Sequence, residues 1–267
     1  MTNIPLVVDL DGTLLKTDLS VECLCACASN APGQLWRIPL WALQGRARLK
    51  RELGRRAQVD VATLPLNQAV LDLLRREKAK GRPLVLATGS DHATALTIAE
   101  RLGLFDLVLG SDGQVNLKGV AKAGELVERY GPQGFDYIGD SQADLAVWRQ
   151  ARRALAVAPS RKVAARLRQI QPEAEILHLR RDPRPQTYLT AMRIHQWAKN
   201  LLLFVPPLAA HRFEPGTGLL ALAAFIAFGL CASSVYVLND LLDLAADRLH
   251  PRKCQRPLAR GGLSLAH

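Results

Sequence analysis

Residues 4–13 read Ile4-Pro5-Leu6-Val7-Val8-Asp9-Leu10-Asp11-Gly12-Thr13. Ile4–Leu10 has the form of a buried strand, and it ends in carboxylates. Two carboxylates separated by one residue leave an extended strand on the same side, and Gly12 permits the tight turn that follows. A buried apolar strand should not end in neighbouring anions unless a cation or a proton transfer rewards them. The alternative is an ordinary polar strand end with an Asp-Gly turn.

Further apolar runs extend the pattern. Pro83–Ala87 is a second strand closed by Thr88-Gly89-Ser90, followed by a helix over Asp91–Leu102. Leu107–Leu109, Phe135–Ile138 and Ala154–Val157 read as three more strands, with helices over Lys122–Tyr130 and Ser160–Ile170. Short apolar strands alternating with helices predict an α/β fold, a Rossmann-like parallel sheet covered on both faces, as far as about Ala174. The insert from Lys16 to Asn67 is too long for an ordinary crossover and reads as a small helical cap over the carboxyl ends of the strands. Its basic run, Arg46–Arg56, is either a solvated helix face or a grip for an anionic substrate. Cys23, Cys25, Cys27, Trp36 and Trp41 read as cap packing.

Parallel strands bring their carboxyl ends to one crevice, the usual ligand site of such sheets. Thr88 and Gly89 can offer a hydroxyl and backbone N–H groups to an anion there, and Lys122, opening a helix, can neutralise phosphoryl oxygens. Lys118 is a rival for that role. Asp140 follows a strand end, and Asp144 lies one helical turn on. Asp9, Asp11, Asp140 and Asp144 make a hard oxygen-ligand set suited to Mg²⁺.

At 49% hydrophobic and 22% charged, the chain is excluded from the disordered and collagen-like classes. Its five cysteines form no even framework or zinc spacing, which points to a reducing, cytoplasmic compartment for the first region. The first residues lack the form of a secretory signal. The net charge of +11 is uneven: from residue 178 onward there are 11 Lys/Arg against 5 Asp/Glu. These cations flank apolar segments and do not line up beside exposed aromatics, which favours a membrane and argues against a nucleic-acid partner.

After a Pro/Arg-rich connector, Ala198–Ala210 is apolar but interrupted by Pro206-Pro207. Gly218–Leu238 runs 21 residues without a charge, enough to cross the hydrocarbon layer. The two segments predict a transmembrane helical hairpin. Arg180, Arg181, Arg184, Arg193 and Lys199 precede it, and Arg248, Arg252, Lys253, Arg256 and Arg260 follow, so both flanks face the cytoplasm. Asn239, Asp243 and Asp247 recur every four residues and would stack on one helical face, with Asp240 beside them. Such carboxylates call for a cation, and Lys253 and Arg256 could meet a diphosphate.

Four stretches, DLDGT (9–13), ATGS (87–90), AKAGEL (121–126) and GDSQADLAVW (139–148), resemble the motifs of haloacid-dehalogenase-like phosphatases with a small cap. The resemblance implies that Asp9 is a nucleophile forming an aspartyl-phosphate and that Asp11 is the general acid and base, lending its backbone carbonyl to Mg²⁺. It also implies that Thr88 and Lys122 hold the phosphoryl group and that Asp140 and Asp144 complete the metal site. Residues 187–267 resemble the start of the UbiA superfamily of intramembrane prenyltransferases. They carry Asn239, Asp240, Asp243 and Asp247 as its first Asp-rich motif, followed by a basic stretch at 250–257. Arg193–Asn200 narrows this to the branch that includes decaprenyl-phosphate phosphoribosyltransferase. That implies a polyprenyl phosphate or diphosphate lipid and phosphoribosyl pyrophosphate as partners.

The expected organisation is therefore a phosphatase domain over 1–177, with its cap at about 16–67, a basic linker over 178–194, and the first two membrane helices of a transferase over 195–267. The second Asp-rich motif of that family is missing, so a fragment of a longer, multi-pass protein of the cytoplasmic membrane is expected. A membrane-anchored phosphatase for a small substrate and a regulatory, non-catalytic soluble domain are the alternatives.

Overall fold

The computed structural model describes residues 4–57, 59–177, 185–211 and 214–263. Arg180, Arg181 and Arg184 of the basic flank lie outside them. The chain divides into two compact units, one as far as residue 181 and one over 182–263.

In the first unit, the described residues form a sheet of six parallel strands: β1 (Leu6–Val8), β2 (Leu84–Asp91), β3 (Leu107–Ser111), β4 (Asp136–Gly139), β5 (Arg153–Val157) and β6 (Glu175–Leu177). They are ordered β3-β2-β1-β4-β5-β6, with Val7 between Val85 and Tyr137. Side chains alternate across the pleat. Leu6 and Val8 enter a core shared with the cap, while Val7 joins Val85, Tyr137 and Trp148 on the other face. Both faces are covered, so β1, β2 and β4 are buried throughout.

Several boundaries differ from the sequence reading: β1 is confined to Leu6–Val8, β3 runs on to Ser111, and the helix expected from Lys122 begins at Val120. The second strand continues through Thr88-Gly89-Ser90 to Asp91, with an irregularity in its pairing after Ala87. The sixth strand lies in what reads as connector, because three residues bounded by polar ones carry too little periodicity to register.

The cap contains α1 (Leu19–Asn30), a 3₁₀ segment (Pro32–Arg37), α2 (Ile38–Leu43) and α3 (Arg46–Ala57). Asp18 starts α1 by accepting from the Ser20 and Val21 N–H groups. The insert is closed at its base where Leu15 bridges Leu66 and the Asn67 side chain donates to the Thr13 carbonyl. Trp41, Cys23 and Cys27 are buried as cap packing, but Trp36 is 69% exposed and does not share that role. Helices α4 (Gln68–Ala79), α5 (His92–Leu102), α6 (Val120–Tyr130), α7 (Leu145–Trp148) and α8 (Arg161–Ile170) make the crossovers.

In the second unit, α9 (Pro185–Ala191) falls within the expected linker. A 3₁₀ segment, Ile194–Phe204, then runs into α10 (Val205–Ala209), followed by α11 (Pro215–Leu242) and α12 (Leu244–Leu249). Among the described residues α11 alone is long and apolar enough to cross a membrane, at 28 residues and a mean hydropathy of 2.1 over its most apolar window. The expected hairpin is thus one spanning helix preceded by a broken segment. Pro206 and Pro207 bring no N–H groups to a helix continuing from the residues before them. Trp197 packs flat over Gly229 of α11, where a Cβ would meet its ring at 2.5 Å, and donates to Ser233 at 3.0 Å.

Candidate functional site

The strand order reverses between β1 and β4, and Asp9 and Asp140 stand at the carboxyl ends of these two strands. The chain leaves Asp9 in one wide turn, Gly12 taking φ +72° and the Leu15 N–H reaching the Leu10 carbonyl at 2.8 Å. Asp9 Oδ1 accepts from the Leu10 N–H at 2.9 Å and from Lys122 Nζ at 2.8 Å. Lys122, buried on the first turn of α6, also donates to the Tyr137 hydroxyl at 2.9 Å, which donates onward to Asp144 Oδ1 at 2.7 Å. Asp144 Oδ2 accepts from the Asp140 and Ser141 N–H groups and the Ser141 hydroxyl. Lys118, the rival, is exposed.

One carboxylate oxygen from each of Asp9, Asp140 and Asp144 lies within 4.8 Å of the other two. Three hard oxygen donors beside one ammonium form a donor set that fits a divalent cation such as Mg²⁺. Asp11 is not part of this cluster through its carboxylate. Its Oδ1 accepts from the Leu19 N–H at 2.7 Å and its Oδ2 from the Ser90 hydroxyl at 2.6 Å. The start of the cap thereby orients Asp11.

Burial pushes the Asp9 carboxyl up to about 8, against the pull of Lys122. Burial also raises Asp11, with Asp18 adding to the effect. For Lys122 burial opposes the charge, but Asp9 and Asp144 outweigh it and the pKa rises. Thr88 is fully buried, its hydroxyl accepting from the Ser90 N–H at 3.0 Å. The Gly89 carbonyl accepts from Ser111 at 2.8 Å and from Lys50 of the cap at 2.6 Å.

Lys50, Ser90 and Tyr137 were not singled out by the sequence. Lys50 lay inside the basic run without distinction. Tyr137 reads as an ordinary inward strand residue, and only the fold sets its hydroxyl between Lys122 and Asp144.

The second constellation lies within the second unit. Helix α11 ends at Leu242 with Asp243 as its cap (φ −92°, ψ 10°), yet the Asp243 N–H still reaches the Asn239 carbonyl at 2.9 Å and the Asp247 N–H the Asp243 carbonyl at 2.8 Å, so the four-residue spacing carries on into α12. Asn239 and Asp243 are exposed, whereas Asp240 and Asp247 are buried. Arg256 joins that pair, at 2.9 Å to Asp240 and 2.6 Å to Asp247. Arg193 reaches Asp240 at 2.6 Å and Lys253 lies 3.5 Å from Asp247. Among the described residues these carboxylates form an ion-pair network and no cluster like that at Asp9.

The model of the haloacid dehalogenase-like hydrolase family matches residues 6–149, and that of the UbiA prenyltransferase family matches residues 202–267. Over 264 residues the chain is 40% identical to the uncharacterized protein y4nM of Sinorhizobium fredii, covering 98% of this chain and 51% of that protein. Over 82 residues it is 43% identical to a decaprenyl-phosphate phosphoribosyltransferase of Mycolicibacterium smegmatis, covering 27% of this chain and 24% of the enzyme. The chain thus spans about half the length of the first relative and about a quarter of the second. A solved structure of a Bordetella pertussis protein of unknown function shares the fold of the first unit. Its TM-score is 0.52 at 16% identity, over 66% of this chain and 99% of that one. The chain belongs to the haloacid dehalogenase-like hydrolase family, and carries over residues 202–267 a segment of the UbiA prenyltransferase family.

Proposed function

We propose that the first unit hydrolyses a phosphate monoester, with Asp9 as nucleophile. The observation that carries this reading is Asp9 at the sheet's switch point, paired with Lys122 and clustered with Asp140 and Asp144. Lys122 holds Oδ1, which leaves Oδ2 to attack phosphorus and form an aspartyl-phosphate. Asp11, whose pKa is raised by burial, carries the proton that the departing alkoxide needs and then takes one from the attacking water. Thr88 and the Gly89 backbone, with Lys122, hold the phosphoryl oxygens. Asp9, Asp140 and Asp144, with the Asp11 backbone carbonyl, would hold Mg²⁺, which when bound neutralises phosphoryl charge.

For the whole protein we infer a bifunctional enzyme of polyprenyl-lipid metabolism, multi-pass in the cytoplasmic membrane, with the phosphatase on the cytoplasmic side. Residues 1–177 form the phosphatase domain, 178–194 the linker, and 195–267 the start of the transferase. Similarity to a decaprenyl-phosphate phosphoribosyltransferase supports transfer of a phosphoribosyl group to a polyprenyl phosphate, with phosphoribosyl pyrophosphate as the donor we infer. The product of such a transfer keeps a 5-phosphate, which the fused phosphatase would remove. Near the transferred group, Asp240 and Asp247, with Asn239 and Asp243, would serve a metal-bound diphosphate that Lys253 and Arg256 contact.

Phosphate release by the chain with Mg²⁺ tests this on ribose 5-phosphate, p-nitrophenyl phosphate and a short-chain polyprenyl-phosphoryl 5-phosphoribose. Turnover of the lipid-linked sugar that vanishes in Asp9→Asn is the expected result. No release from any of the three by a folded, Mg²⁺-binding chain would overturn the phosphatase reading.

A further inference from the structure

We propose that the cap docks on an anionic phospholipid surface through Trp36, Leu40 and Leu43. These side chains are 69%, 50% and 86% exposed. They stand four and three residues apart, the spacing of one helical face, where the 3₁₀ segment Pro32–Arg37 runs into α2. The next residue but two before Leu43's exposed neighbour Gln44 is Trp41, which points the other way into the core and holds α2 in place. Single exposed leucines are ordinary on any surface, but three large apolar side chains on one short face form a patch that calls for a partner.

Charge identifies the partner. Arg37 and Arg46 flank the patch, with no Asp or Glu over residues 23–51, while Lys50 and Arg51 turn to the Gly89 and Asp112 carbonyls and Arg48 pairs with Glu52. The Arg37 guanidinium stacks over the Trp36 ring at 5.1 Å. A second copy of this face would set cations against cations, whereas anionic head groups supply the opposite charge. Tryptophan and arginine beside leucine also suit the head-group boundary, where apolar body and polar tip are both satisfied.

The proposal rests on α11 crossing a bilayer. That helix is 28 residues long and only 11% of its most apolar window is buried within the protein. It begins at Pro215, on the same chain as the first unit, so a patch of weak intrinsic affinity meets its partner at a raised effective concentration. The cap helix that follows the patch carries Lys50 to the Gly89 carbonyl at 2.6 Å. Docking would therefore bring the lipid surface to the element that overhangs the phosphate site, which suits a lipid-borne phosphate.

The test uses the full chain in phosphatidylcholine vesicles, with and without phosphatidylglycerol, some carrying lipids brominated near the head group. Quenching of the wild type minus that of Trp36→Phe isolates Trp36 from the other three tryptophans. The expected result is Trp36-specific quenching in anionic vesicles that falls at least about twofold without phosphatidylglycerol or at ~1 M salt, where charges are screened within about 3 Å. Leu40→Asp/Leu43→Asp should abolish it while the chain still floats with the vesicles and still hydrolyses p-nitrophenyl phosphate. Trp36 open to aqueous acrylamide and untouched by brominated lipid would overturn the proposal. So would equal quenching without anionic lipid. Protection from both quenchers that grows with protein-to-lipid ratio would overturn it in favour of a second copy. A chain that fails to float overturns the reading of α11 and this proposal with it, but not the phosphatase reading.

Discussion

Lys122→Met removes the ammonium that contacts Asp9 and lies 3.9 Å from Asp144. At an effective dielectric of roughly 20, like charges within 4.8 Å of one another repel by about 3.5 kcal/mol or more, so three ionised carboxylates would come to at least about 10 kcal/mol. On the same footing, the Lys122 contacts at 2.8 Å to Asp9 and 3.9 Å to Asp144 return about 10 kcal/mol. Lys122 offsets much of that repulsion and the proton Asp9 keeps up to about pH 8 takes up more; without the lysine only further protonation can do so. Proton uptake relieves much of the imbalance, which leaves the usual cost of breaking a buried pair, about 3–5 kcal/mol. For a unit of this size that is roughly 10 °C in unfolding temperature.

The pH dependence has a definite sign. The folded Asp9 pKa of about 8 lies above the ordinary carboxylate value, so proton binding favours the folded state as pH falls. The variant's deficit should therefore be smallest below about pH 8, where Asp9 is protonated in both proteins, and grow as pH rises above it, where only the wild type has an ammonium to receive the ionised carboxylate. Mg²⁺ should restore much of it, because a dication replaces the missing charge. The assay is thermal unfolding of the full chain in detergent, followed by fluorescence as Trp148 leaves its fully buried place beside Tyr137. An unfolding temperature equal to wild type on both sides of about pH 8, or a deficit larger in acid, would refute the reasoning.

Three further outcomes follow from the same structure. Asp136, 1% exposed at the start of β4, accepts from Arg152 at 2.9 and 2.8 Å and pairs with Arg82. Asp136→Asn should cost about 2 kcal/mol, discounted because Arg152 is partly in water, with kcat unchanged. Burial opposes the charge, but Arg152 and Arg82 hold this carboxyl low, so its contribution is present above the usual carboxylate pKa and is lost as pH falls through the folded value; urea titration across acid pH checks this. Lys50→Met should lower kcat/KM about tenfold with little change in unfolding temperature, and Lys50→Arg should recover part of it, as steady-state kinetics would show. Gly229→Leu should drive Trp197 from α11 at about 1–3 kcal/mol, read as faster amide exchange around Ser233; an unchanged exchange pattern would contradict the packing.

The carboxylates of the candidate site were legible because the rule behind them is local. An apolar run fixes a strand, and a charge at its end marks a ligand edge whatever the rest of the chain does. The same locality explains Lys122, which opens a helix in a recognisable motif, and α11, whose length without charge has few other meanings. It also explains the errors. Three residues of β6 carry no periodicity of their own, and spacing groups Asp247 with Asn239 and Asp243, whereas burial groups it with Asp240.

What the sequence by itself determined was the alternation of strands and helices, the acidic strand ends, the long insert and the apolar span, all of which follow from side-chain chemistry within a few residues. Tertiary structure decided which groups meet across the chain. It set Tyr137 between Lys122 and Asp144, turned Asp11 toward Ser90, carried Lys50 of the cap to Gly89, and placed Arg256 between Asp240 and Asp247. It also decided that Trp41 faces inward and Trp36 outward, though both lie in one apolar stretch. The physical reason is common to all of these: a contact between distant residues depends on where folding brings them, and burial depends on what covers a side chain, neither of which is written in its neighbours along the chain.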